Sequence, residues 1–274
     1  MHNPPTQAPD QPAAASGGDG VADPAPMEAE FDTVAAWTAD VALDLGPEHH
    51  VPAGCRGSGG PAALHWFLDH LTPAPRATFL DVGAGVGGPA GFAVQEAGVR
   101  PVLTEPQAGA CRAARRLFDL PVVQAGSHLP VRTGSVEVGW CLGVLCTVPD
   151  QPAFLAEVRR VLAPGARLGL LVYVAQHDDL LDPPEGNHFP TARQLERLLE
   201  GAGLGVEDSG RLADFAATPA LWRERADAVD AELERRHGDD PRWRTAEEQS
   251  GRIGRLIGSG DIRGTMLVVR PRPA

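Results

Sequence analysis

Residues 78–106 read TFLDVGAGVGGPAGFAVQEAGVRPVLTEP, and the fold follows from how this stretch divides. TFLDV is a short apolar run, Gly83–Gly88 a glycine-rich turn, PAGFAVQEAG a helical pattern closed by glycine, and RPVLTEP a second strand pattern. A strand, a helix and a strand in immediate succession form a crossover unit, which places the two strands parallel in one sheet.

The alternation continues toward the C-terminus. QAGACRAARRLFD predicts a helix, PVVQAG and SVEVGWCLGVL strands, QPAFLAEVRRVLAPG a helix closed by Pro-Gly, and RLGLLVYVA a strand. TARQLERLLEGAG predicts a helix opened by a capping box, Thr191 with Gln194 three residues on. LGVEDSG and GTMLVVR predict two further strands, and between them lie two polar helices, PALWRERADAVDAELERRHG and TAEEQSGRIGRLIG. The pattern is that of an α/β protein whose mostly parallel sheet is covered on both faces.

On the N-terminal side, residues 1–27 hold Pro, Ala, Gly and Asp with almost nothing to bury, which predicts a disordered tail. Phe31, Val34, Trp37, Val41 and Leu45 recur at three- and four-residue steps, the stripe of an amphipathic helix. Gly46–Pro61 reads as a glycine-rich loop and AALHWFLDHL as a helix. The expected division is a tail (1–27), a helical N-terminal cap (28–75) and a core (76–274) with a helical insertion at about 216–260.

The 274 residues carry a formal net charge of −12, and their 24 basic residues are all arginine. A nucleic-acid binder needs a basic surface to displace counterions, so acidity argues against a polyanion as main partner and favours a small molecule. No stretch has the roughly 20 apolar residues of a membrane helix, and MHNPPTQAPDQ lacks the pattern of a secretion signal. The expectation is a cytoplasmic monomer or homodimer without membrane contact. Cys55, Cys111, Cys141 and Cys146 form no CxxC pair, so buried free thiols are expected, with neither disulfide nor metal.

In an open parallel sheet, ligands bind beyond the carboxyl ends of the central strands. Gly83, Gly85 and Gly88 fit GxGxxG for a dinucleotide, while Asp81, Gly83, Gly85 and Gly87 fit DxGxGxG. A dinucleotide would bring its pyrophosphate close to the Asp81 carboxylate, whereas a ligand carrying a sulfonium and an ammonium would gain from it. Glu105, ending the second strand pattern, can accept both ribose hydroxyls of either ligand.

With these residues in view, the chain resembles class I S-adenosylmethionine-dependent methyltransferases of the small-molecule type over about residues 77–210. FLDVGAGVGGPA resembles the family's first motif, VLTEP its acidic second-strand end, HLPVRTGSVEVGWCLGVLCTVPD its fourth-strand signature, and FLAEVRRVLAPGARLGLLVYV its next helix, turn and strand. The resemblance implies a Rossmann-like seven-stranded sheet with the last strand antiparallel. It assigns Asp81, Gly83, Gly85 and Gly87 to the methionine portion of the cofactor, Glu105 to the ribose, Pro106 to the adenine pocket, and Cys141 and Leu142 to the amino-acid end. Where many relatives place an aspartate against the adenine, this chain has Gln124-Ala125-Gly126-Ser127-His128, which passes the contact to Ser127 or His128. Where many have Glu-His after Gly-Val-Leu, it has Cys146-Thr147, so no role of that histidine transfers.

Methyl transfer is an in-line displacement in which alignment and exclusion of water matter most, and a base is needed only where the acceptor must lose a proton. Candidates are His49 and His50 before the core and His177, Glu185 and His188 after the fifth strand, with His177 and His188 first; the plainer reading of each histidine is a surface or capping residue. Arg56 is either a bidentate partner for the cofactor carboxylate or a solvated loop residue. Trp37, Trp66 and Phe67 line an acceptor pocket or pack as core, Trp222 and Trp243 anchor the insertion or face the substrate, and Glu232, Glu234, Arg235 and Arg236 form a solvated face. Two rival readings stay open: an NAD-dependent oxidoreductase, on the overlapping GxGxxG, and a non-catalytic cofactor-binding module on the same fold. The expected function is transfer of a methyl group from S-adenosylmethionine to a neutral or cationic small molecule of metabolite or natural-product type.

Overall fold

The computed structural model describes residues 29–273; the segment expected to be a disordered tail lies outside them. Seven strands run β1 Thr78–Val82, β2 Arg100–Glu105, β3 Val122–Gln124, β4 Val136–Leu142, β5 Leu162–Ala175, β6 Leu204–Arg211 and β7 Ile262–Pro271, in the sheet order β3-β2-β1-β4-β5-β7-β6. Only β7 runs against its neighbours, pairing antiparallel with both β5 and β6. From β1 the chain builds outward through β2 and β3, then crosses back to β4, so the crevice beyond the carboxyl ends of β1 and β4 is the switch point.

Before β1 come a π-helical turn Ala29–Val34 continuous with α1 (Ala35–Leu45), a short α2 (His50–Gly54) and α3 (Pro61–Leu71). Within the sheet follow α4 (Gly88–Ala97), α5 (Ala108–Phe118), α6 (Gln151–Val161) and α7 (Ala192–Gly201); α8 (Ala220–His237) and α9 (Pro241–Ser259) stand between β6 and β7.

Strand alternation divides the core. Leu80 and Val82 join Leu168, Leu170, Phe154 and Val158 beneath α6 and α7. Phe79 faces the other way, with Leu64 and Phe67 of α3, Phe92 of α4 and the Trp140 ring, which it meets edge-on at 4.8 Å. A third cluster joins Val41 and Ala42 of α1, Leu117 of α5, Val229 and Leu233 of α8 and Trp243 of α9, so the N-terminal helix and the helical pair before β7 share one apolar core above the sheet.

Three expectations are corrected. Gly46–Pro61, read as a loop, contains a 3-10 turn (Pro47–His49) and α2. Val51 and Ala53 are buried, and Gly54 lies where it does because α2 packs backbone to backbone on Gly88, an approach glycine alone allows. α6 ends at Val161 rather than at Pro164-Gly165, which instead form an outward bulge in β5 while Val136 pairs with Leu162 and Val138 with Arg167. α9 begins at Pro241, four residues before the TAEEQ pattern, because Asp240 caps it by accepting from the Arg242 N–H at 2.9 Å and Pro241 needs no donor in the first turn. The Thr191–Gln194 capping box forms as read.

Candidate active site

A cavity of about 480 Å³ opens at the switch point. Its floor is the glycine turn after β1 with the ends of β2 and β4: Asp81, Gly83, Gly85, Glu105, Pro106 and Leu142. α2 and the segment after it contribute Gly54, Arg56 and Ser58 to one wall; Tyr173 of β5, Glu185, Asn187 and Phe189 of the following loop, and Gln249 and Ile253 of α9 close the other.

The glycine turn is tied to β2 by backbone bonds from Gly83 N and Ala84 N to Thr104 O, at 2.8 and 3.1 Å. Gly85 sits at φ +54°, and a Cβ built on it would meet nothing within 4 Å, so its backbone borders open space. Glu105 is buried, its Oε2 accepting from Gly85 N–H at 2.9 Å and its Oε1 from Gln107 N–H at 3.1 Å. Burial raises its pKa, against those two N–H groups. Each oxygen can accept a further bond, and Glu105 lines the cavity, the capacity a ribose diol requires.

Asp81 is 2 % exposed and its Oδ2 has no hydrogen-bond partner. Burial pushes Asp81 up to about 7, the neighbouring Trp140 side chain acting against it and the Glu105 carboxylate with it. An orphaned buried carboxylate oxygen on a cavity floor fits a cationic ligand group and not a pyrophosphate. These residues fit the amino-acid and ribose ends of S-adenosylmethionine.

Other residues expected at the site fall elsewhere or are held by partners of their own. Gly87, at φ +88°, precedes α4 and packs toward Ala114 and Phe118; Cys141 is buried beneath the floor, and burial pushes its thiol up. Ser127 and His128 are exposed away from the cavity, with His128 Nδ1 2.8 Å from Glu157. Arg56 lines the cavity, yet its guanidinium is held by Asp230 of α8 at 3.0 Å and lies 3.7 Å from Glu247 of α9.

His177 pairs with Asp261 at 3.0 Å on the surface, and His188 borders a separate open groove between α6 and α7. Neither lines the cavity, whereas Glu185 does. His49 and His50 are half-buried near α5, His50 Nδ1 3.1 Å from Leu117 O. Trp66, Phe67 and Trp222 pack together in the core, Trp37 stacks on His237 at 3.9 Å, and Trp243 is buried against α1 and α8. Glu232 holds Arg235 and Arg236 at the surface. All four cysteines are free and buried, and burial pushes Cys146 up to about 12, its thiol donating to Tyr173 O at 3.3 Å.

Sequence reasoning missed Tyr173, Asn187, Phe189 and Gln249. The chain's single tyrosine ends an apolar strand run and was legible as a polar tip at a carboxyl end. Gln249 stands on a polar helix, with nothing local to mark it.

Comparison with known proteins agrees with this geometry. Residues 80–170 match the model of a methyltransferase domain family. A human thiol S-methyltransferase, TMT1A, is 35% identical over 112 residues, 38% of this chain and 45% of that protein; the chain spans less than half the length of each curated relative it matches. Among solved structures, the [4+2]-cyclase SpnF superposes with a TM-score of 0.67 at 16% identity, covering 91% of this chain and 98% of that one. A geranyl diphosphate C-methyltransferase from Streptomyces coelicolor, solved with S-adenosylhomocysteine, gives 0.55 at 17% identity over 76% and 78%. At such identity these structures establish the fold. Residues 80–170, a third of the chain, are thus similar to a methyltransferase domain family, on a fold that methyltransferases share.

Proposed function

We propose that this protein transfers the methyl group of S-adenosylmethionine to a small-molecule acceptor enclosed beneath α9 and the β5–α7 loop. The observation that carries this reading is one cavity whose lining joins Asp81, Gly85 and Glu105 to Tyr173, Glu185, Asn187, Phe189 and Gln249. When bound, the cofactor supplies an electrophilic methyl on a sulfonium.

The chain's residues do the rest. Asp81 balances the positive charge, and Glu105 fixes the ribose while holding the Gly85 N–H in place. The shared core of α1, α8 and α9 holds the roof over the sheet and excludes water, which serves alignment. Tyr173, its phenol pushed up to about 12 by burial, stays protonated and donates toward Gly57 O at 3.4 Å. Glu185 is the acidic group that lines the cavity beside Asn187 and Gln249, where it can accept from an acceptor hydroxyl; His177 and His188 lie outside it. In this reading residues 28–75 act as a cap, 76–274 as the core, and the segment at about 216–260 as an inserted roof.

Release of S-adenosylhomocysteine from S-adenosylmethionine, measured against pooled alcohols, phenols, amines and thiols, tests the proposal. Acceptor-dependent release that is lost in Asp81→Asn supports it; release from no pool by a protein that binds the cofactor favours the non-catalytic module.

A further inference from the structure

α9 presents Gln249, Ser250, Ile253, Gly254 and Ile257 to the cavity, positions that share one helical face. Gln249 is the buried polar residue on that face, 8 % exposed. Its carboxamide has a defined orientation. The Glu185 N–H donates to Gln249 Oε1 at 3.1 Å, so the opposite end of the group is Nε2 with its two protons. Nε2 makes no hydrogen bond among the described residues, and Gln249 lines the cavity, so its two protons remain available to a ligand there.

We propose that Gln249 positions the methyl acceptor and selects its chemistry. Oε1 pins the β5–α7 loop through Glu185, and Nε2 donates to an oxygen of a neutral acceptor: an alcohol, a phenol or a carbonyl compound bearing one. This assignment rests on the methyltransferase reading above and adds the substrate class.

Charge around the cavity narrows the class. Its lining holds three carboxylates, Asp81, Glu105 and Glu185, against one cation, Arg56, which is already held by Asp230 and Glu247. With Asp81 and Glu105 engaged by the cofactor, an anionic head would still meet the Glu185 carboxylate, with Arg56 already paired. An ammonium head has no lone pair to accept from Nε2. A hydroxyl has both a lone pair for Gln249 and a proton for Glu185. Residue 249 lies outside the matched segment 80–170, so the recognising group sits on this chain's insertion and not on the shared domain.

The test uses the full chain loaded with S-adenosylhomocysteine and titrated with benzyl alcohol, benzylamine and benzoate, which share one ring and differ in head group. Benzyl alcohol is expected to bind at least about tenfold tighter than the other two. Gln249→Glu, studied at alkaline pH where the carboxyl is an acceptor only, is expected to keep the Glu185 amide slow to exchange hydrogen while weakening benzyl alcohol about tenfold. Gln249→Met releases the loop, so that amide exchanges fast. S-adenosylhomocysteine affinity stays unchanged in both variants.

Binding of S-adenosylhomocysteine with no preference for the alcohol, with no probe binding at all, or with Gln249→Glu matching wild type overturns this proposal alone. Failure of wild type to bind S-adenosylhomocysteine overturns the methyltransferase reading and this proposal with it.

Discussion

Replacing Gly88 by alanine tests how the cap is seated on the cofactor turn. A Cβ at Gly88 would lie 2.2 Å from the carbonyl carbon of Gly54 and 2.4 Å from its oxygen, where ordinary contact begins near 3.4 Å. α2 and α4 would have to separate by about 1.2 Å, and because the obstacle is backbone, no rotamer change relieves it. Overpacking of this kind costs about 1–3 kcal/mol, and each kcal/mol lowers Tm by about 2–4 °C in a chain of this size. Gly54, Arg56 and Ser58 line the cavity, so displacement of α2 carries into the site. If the whole cost falls on the liganded state, affinity for S-adenosylhomocysteine drops roughly 5- to 150-fold. Titration calorimetry and thermal melts on Gly88→Ala read both effects. Gly201→Ala, at the end of α7 with nothing within 4 Å of the added carbon, is the control and should be neutral or slightly stabilising. Gly88→Ala melting and binding as wild type does would refute the seating of α2 on α4.

Other outcomes follow from the same geometry. Asp81 has a native pKa raised from 3.8 to about 7, so its native state keeps a proton the unfolded chain has lost, and its contribution to stability declines as pH rises between those values. A cationic ligand favours the ionised form, so calorimetry should show affinity for S-adenosylmethionine rising with pH toward about 7 and then levelling; Asp81→Asn should bind weakly with a flat profile. Glu105→Gln retains one accepting oxygen for two N–H donors, Gly85 and Gln107, and hydrogen bonds to a charged acceptor contribute about 1.5–3 kcal/mol; an affinity loss of about tenfold or more is expected, and wild-type binding would contradict the role of Glu105. His177 has a pKa raised by its bond to Asp261, whose own is lowered by Ser259 and His177, so the pair stabilises the fold between the two native values and the contribution is lost as pH rises through that of His177 or falls through that of Asp261. His177→Ala should therefore unfold more easily than wild type within that window, match it in alkali, and bind S-adenosylhomocysteine equally throughout.

Local signals made much of the sheet legible. The apolar run before Gly83, the Thr-x-x-Gln capping box, and the acidic end of β2 each state their structure within a few residues, and Asp81, Gly85 and Glu105 meet in one cavity. What stayed hidden depends on distant partners. Gly54 read as a loop residue because its reason for being glycine is Gly88, thirty-four positions away. Pro164-Gly165 read as a helix stop, yet pairing with β4 draws the strand back to Leu162. Gln249 shows its importance only once α9 folds over the β5–α7 loop, and nothing local showed that His177 and His188 would lie outside the cavity.

The most direct test of the account is to offer the purified chain S-adenosylmethionine, S-adenosylhomocysteine and NAD in parallel, by native mass spectrometry and calorimetry. The geometry of Asp81 and Glu105 predicts saturable binding of the first two and none of the dinucleotide. Binding of NAD without either adenosyl ligand would contradict it.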